Sequence, residues 1–160
     1  MTTRIPPLLE PYLRLPPEAS LIVLTGVVGA STNWLVHRFL CSYLASSSSS
    51  SDRHAAPDAA SPDDDAVGVV LVSFLRDYAF WKEGAGKTGV DLDVLARKGR
   101  FVYVDGLSRL FSDPKAPAAQ PVTSGSPGSR VLASPTLAEL RKQVLEAVTS
   151  LQHQGPGAKI

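Results

Sequence analysis

Residues 26–33, Gly-Val-Val-Gly-Ala-Ser-Thr-Asn, follow a short apolar run and open a helical pattern, the setting in which a phosphate-binding turn would stand. Such a turn has the form G-x-x-x-x-G-K-[ST]. Its backbone N–H groups surround the β-phosphate, its lysine reaches the β- and γ-oxygens, and its hydroxyl binds magnesium. Here Gly26 holds the first glycine position and Gly29 falls inside the turn, but Ser31 stands where the second glycine belongs. Thr32 replaces the lysine and Asn33 the magnesium-binding hydroxyl residue. A Cβ at position 31 crowds the approach of backbone to phosphate, and Thr32 supplies no charge to meet that of a transferring phosphoryl group. The segment therefore predicts a degenerate phosphate loop, with no nucleotide cofactor and no hydrolysis. It retains only the anion affinity of a helix N-terminus. Ser31 or Thr32 also reads as an ordinary helix cap, and the two readings are compatible.

Gly84-Ala-Gly86-Lys87-Thr88 imitates the end of the same motif, yet the first glycine of the pattern would fall on Trp81 and no strand precedes it directly. It reads as a helix end. Arg76-Asp77-Tyr78 lies just past the end of an apolar strand pattern, at the edge where open α/β sheets bind ligands. Asp77 could be the relic of a catalytic acid, but with no lysine or magnesium position to serve, an interface or capping role is favoured. Phe80 and Trp81 fit either a core or a contact anchor, so Arg76, Asp77, Tyr78, Phe80 and Trp81 are the interface candidates. Asp105-Gly106 closes another apolar strand and reads as a turn former. His37, His54 and His153 show no metal-ligand spacing, no nucleophile–base pair stands out, and Asp63-Asp64-Asp65 reads as a solvated loop.

The elements that would position these residues alternate between strand and helix. Leu21 to Thr25 predicts a strand buried on both faces, then the turn, then a helix to about Ala45 with a stripe of Leu35, Val36, Phe39, Leu40 and Tyr43. Val67 to Leu75 predicts a second strand, Asp77 to Gly89 a helix, Val94 to Lys98 a short helix, and Phe101 to Val104 a third strand. Pro135 behind Ser134, with Thr136 and Glu139 as a capping box, opens a helix whose stripe is Leu137, Leu140, Val144, Val148 and Leu151. Residues of about 46–66 and 112–135 are low-complexity inserts rich in small and polar residues. This alternation predicts one α/β domain over 1–160, a parallel sheet flanked by helices that stops where a fourth strand would begin.

The chain has 160 residues, 44% hydrophobic and 19% charged, with a formal net charge of +1, so no bulk field attracts nucleic acid or an anionic membrane. Cys41 is the one cysteine, which excludes an internal disulfide and a cysteine zinc site and suits an inert thiol in a reducing compartment. The prolines of the first 18 residues interrupt any signal core or spanning helix, so no membrane association is expected.

Leu8-Leu9-Glu10, Leu21 to Thr25, Gly29 to Trp34, Val70 to Asp77, Phe80-Trp81, Gly89 to Leu92 and Phe101 to Leu107 together resemble the sixth subunit of the Elongator complex. The likeness covers most of residues 5–111 and resumes over 136–152, with both inserts outside it. Its most distinctive part is a strand ending in Ser-Phe-Leu-Arg-Asp followed by Phe-Trp. The resemblance implies a RecA-like domain of the KaiC-like superfamily that lacks working Walker motifs and is not an enzyme. It further implies a heterohexameric ring with the fourth and fifth Elongator subunits, beside the remaining subunits of the complex. That ring binds tRNA and supports wobble-uridine modification in the cytoplasm, with the nucleus as a second location. Two other readings are a divergent RecA- or KaiC-like NTPase with residual nucleotide binding, opposed by Thr32, and a peptide-binding adaptor using the Arg76 to Trp81 edge.

Overall fold

A computed structural model describes residues 7–13, 19–45, 67–109 and 126–154. A 3-10 turn at Glu10–Leu13 precedes α1 (Asn33–Ala45), β1 (Val69–Ser73), α2 (Tyr78–Gly86) and α3 (Leu92–Arg97). Then come β2 (Phe101–Asp105), β3 (Ser129–Val131) and α4 (Leu137–Gln154). The three strands form one parallel sheet in the order β1-β2-β3, with Val69 opposite Phe101, Ser73 opposite Asp105, and Asp105 opposite Val131. The chain is thus an α/β protein, as the alternation predicts.

The strand alternation of period two divides the core. Phe101 and Tyr103 of β2, with Val69 and Leu71 of β1, face α1, α2 and α3 through Leu40, Leu44, Tyr78, Trp81, Ala85 and Leu92. Val102 and Val104, with Val70 and Val72, face α4 through Leu140, Ala147 and Leu151. Both faces are covered, which is why these strands read as continuous apolar runs.

Three arginine contacts and one glycine orient the outer helices. Arg100 donates from Nε and Nη2 to the Val67 carbonyl at 3.3 and 3.2 Å, and from Nη1 to the Leu44 carbonyl at 3.5 Å. The last turn of α1 is thereby held at the amino ends of the strands. Leu151 lies over Gly68, its Cδ1 3.3 Å from where a Cβ would be, so the C-terminal part of α4 sits at that end too. Both helices therefore run back against the strand direction and present their first turns to the carboxyl edge.

Five sequence expectations are corrected. Leu21–Thr25 is not a buried strand: it pairs with no described strand, and Leu21 is 89% exposed. An apolar run becomes a strand only where a neighbouring backbone accepts its ladder, and among the described residues β1 and β3 both pair with β2 alone. The third strand of the sheet instead lies inside the expected second insert, at Ser129–Val131, followed by the buried Leu132. The inner face of α1 is rotated to Val36, Leu40, Cys41 and Leu44, with His37 against α2, and Phe39 and Tyr43 stack on one another, each half-buried. In α4, Leu137 is 80% exposed because the helix meets the sheet only from Leu140 onward, and Ala147 joins Leu151 in the core. Thr136 caps that helix by accepting from Glu139 N at 3.3 Å, but the Glu139 carboxylate engages Gln143 rather than closing the box. The first insert, 46–66, lies outside the described residues.

Candidate functional site at the carboxyl edge

The turn into α1 owes its shape to two glycines. Val27 to Ala30 form a β-turn closed by Ala30 N to the Val27 carbonyl at 2.9 Å, with Gly29 at φ +89°, which a type II turn requires at its third position. A Cβ on Gly26 would lie 2.9 Å from the Ala30 carbonyl oxygen, so that position also has room only for hydrogen. Ser31 Oγ then accepts from Asn33 N at 3.2 Å, and the Thr32 carbonyl accepts from Leu35 and Val36 N at 2.9 and 3.2 Å. Ser31 and Thr32 therefore work as helix-opening residues. Val27 and Val28 project from the turn into solvent, as does Trp34 behind it.

At the end of β1, Ser73 is a buried junction. Its hydroxyl donates to the Arg76 carbonyl at 2.6 Å and accepts from Arg76 N and from Trp81 Nε1, each at 3.2 Å. Tyr103 OH donates to the same Arg76 carbonyl at 2.8 Å. Four hydrogen bonds thus fix the chain where it leaves the sheet. Burial, helped by the Asp105 carboxylate, pushes the Tyr103 phenol up to about 12.

From that junction the interface candidates divide between surface and core. Asp77 is the N-cap of α2, accepting from Phe80 N at 3.0 Å. Arg76 is exposed and its guanidinium lies 5.0 Å from the half-buried Phe80 ring. Tyr78, expected at a contact surface, is corrected to a core residue, and Trp81 takes the core alternative, at 7% and 5% exposed. With Ala85 they occupy spacings of three and four along α2, and that helical stripe faces the sheet. The Tyr78 hydroxyl donates to Asp93, which also pairs with Lys82. Burial, with that bond, raises the Tyr78 phenol well above its ordinary range, while Lys82 and then Tyr78 hold the Asp93 carboxyl below its own.

Asp105 forms the expected turn. Its Oδ1 accepts from Leu107 N at 2.8 Å and Ser108 N at 3.0 Å, its Oδ2 accepts from Ser108 Oγ, and Gly106 N reaches the Ser73 carbonyl at 2.9 Å. Phe74 lies so close over Gly106 that a side chain there would displace it. The imitation motif at Gly84 to Thr88 is the end of α2: Lys87 pairs with Glu83 at 2.7 Å, and Gly89 at φ +87° ends the turn. Cys41 is half-buried, its Sγ 2.6 Å from Thr88 Oγ1.

Sequence reasoning missed the Ser73 junction and the His37 contact. A serine ending a Val-Val-Leu-Val run and followed by a tryptophan eight residues on was the available signal for the first. As a whole, the edge supplies two capped helix starts, an aromatic shelf and an outward guanidinium. Its acidic side chains engage helix and turn N–H groups, and its phenols engage a carbonyl and a carboxylate. No family model, curated protein or solved structure matches the chain. The class defined by the fold is an α/β protein with a helix-covered parallel sheet.

Proposed function

We propose that this chain is a non-catalytic, RecA-like structural subunit of Elongator. In this reading it stands with the fourth and fifth subunits in a heterohexameric ring that supports wobble-uridine modification of tRNA. The observation that carries the reading is the turn into α1. It keeps the two glycines that shape it, carries Thr32 at the sequence position of the motif's lysine, and uses Ser31 and Thr32 to start the helix. The edge beside it commits its polar groups to fixing backbone, leaving Arg76 and Phe80 to face a neighbour.

Co-expression with the fourth and fifth Elongator subunits, read by size and native mass, tests this. The expected result is one particle containing all three chains. Elution of this chain as a monomer beside the other two would end the proposal. ATP at about a hundred times its dissociation constant would stabilise a nucleotide-binding chain by about 2.7 kcal/mol. The expected thermal shift is nil, and a shift abolished by Lys87→Ala would favour the NTPase reading.

A further inference from the structure

Helix α1 meets α2 through a titratable side chain set in a notch. The His37 ring lies over Gly84, so near that a Cβ there would collide with three of its atoms. It leans on Trp81 and Phe80 at centroid distances of 4.9 and 5.6 Å, with ring planes tilted by 51° and 43°. Its Nδ1 is buried and has no hydrogen-bond partner among the described residues. A neutral imidazole tolerates this, since an unprotonated ring nitrogen merely forgoes one accepted bond. An imidazolium carries N–H on both nitrogens and would enclose a charged donor with nothing to receive it.

The surrounding charges do not offset that penalty. At the end of α2, Lys87 is a like charge, and the acid of that helix, Glu83, is paired with Lys87 at 2.7 Å. On α1, Arg38 follows His37 directly, and Cys41 engages Thr88. On the strand-to-helix loop, Arg76 already places a cation 5.0 Å from the Phe80 centroid. The Trp81 and Phe80 rings favour a cation by cation–π attraction, but both are tilted and Phe80 is shared with Arg76. Desolvation, then Lys87, accordingly lowers the imidazole from its ordinary 6.5.

We propose that His37 is a pH-sensitive latch between α1 and α2, closing the helix pair as a neutral ring in the Gly84 notch and opening it on protonation. The turn at 26–33 leads into α1, so opening moves the carboxyl edge with it. The reading is independent of Elongator membership.

The test uses the full chain. Proton NMR follows the His37 ring from about pH 8 to about pH 5, and amide exchange is compared over Val36–Leu44 and Ala147–Leu151 after correction for intrinsic rates. His37 is expected to titrate below 6.5. Protection in α1 is expected to fall about tenfold relative to α4 across that range. His37→Gln should remove the α1 effect. Titration at or above 6.5 overturns the proposal, as does a parallel loss in α1 and α4, or persistence of the α1 loss in His37→Gln. The two wild-type measurements decide the matter even where the variant does not fold.

Discussion

Replacing Trp81 by alanine separates a core tryptophan from a contact anchor. The indole packs between α1 and the sheet, meets Phe80 edge-on at 5.3 Å and His37 at 4.9 Å, and donates to Ser73 Oγ at 3.2 Å. Truncating a buried tryptophan to alanine costs about 3–5 kcal/mol. The lost hydrogen bond adds about 1 kcal/mol or less, because Ser73 keeps Arg76 N as donor and the Arg76 carbonyl as acceptor. In a chain of this size each kcal/mol lowers Tm by about 2–4 °C, so the expected fall is roughly 6–24 °C. Trp81→Phe keeps a ring in the site and loses the N–H, with an expected cost of about 1–2 kcal/mol. Urea unfolding followed by far-ultraviolet circular dichroism reads both variants. An alanine variant within about 0.5 kcal/mol of wild type would refute the core assignment. A phenylalanine variant as damaged as the alanine one would move the loss from packing to the Ser73 bond.

Other expectations follow from the same edge. Tyr78 and Tyr103 are buried neutral and their phenols are raised, Tyr103 to about 12, whereas the unfolded chain ionises near 10. Their contribution is complete below about pH 10 and is lost as pH rises toward about 12, so the urea midpoint should fall across that interval. Tyr103→Phe should flatten the alkaline slope while costing about 1 kcal/mol at neutral pH, and an unchanged slope would contradict the assignment. Asp105→Ala removes the acceptor of two backbone N–H groups and the Ser108 hydroxyl, for an expected loss of about 1–2 kcal/mol by urea unfolding. Asp105→Asn keeps a carbonyl oxygen for the backbone pair and should lose roughly half as much.

How far the fold is legible depends on where each residue's partner lies. Up to their last residues, Ser73 and Asp105, β1 and β2 run without a charged side chain because helices cover both faces, and that pattern survives in the sequence without knowledge of the neighbours. The capping aspartates are legible for a similar reason, since Asp77 bonds three residues ahead and Asp105 two and three. β3 is not legible. Ser129-Arg130-Val131 is a strand because β2 offers its open edge at that height, and three residues leave no period to read. The α1 face was misassigned because aromatic Phe39 and Tyr43 outweigh a histidine on any apolarity scale. Only the Gly84 notch, 47 residues later in the chain, makes His37 the inward residue. Between neighbouring Phe80 and Trp81 the choice was legible after all, since Trp81 shares the spacing of Tyr78 and Ala85 and Phe80 does not.

The run Leu21–Thr25 tests the distinction between apolar and buried most directly. Its residue types suit an interior strand, yet Val23 is 72% exposed and Leu21 more so. Exposed substitutions away from caps and cores change stability by about 0.5 kcal/mol or less. Val23→Lys should therefore leave the urea midpoint of the chain unchanged. The same charge breaks a contiguous apolar surface made with Leu21, Ile22 and Leu24, so it should raise the protein concentration at which light scattering detects self-association. A destabilisation above about 2 kcal/mol would show that the run is packed in solution, because only a lysine forced into a core reaches that figure. Unchanged stability together with unchanged association would instead mean that the run is exposed but is not the adhesive surface. Then Trp34, Phe74 and Leu75, exposed apolar residues just after the turn and just after β1, become the next positions to charge.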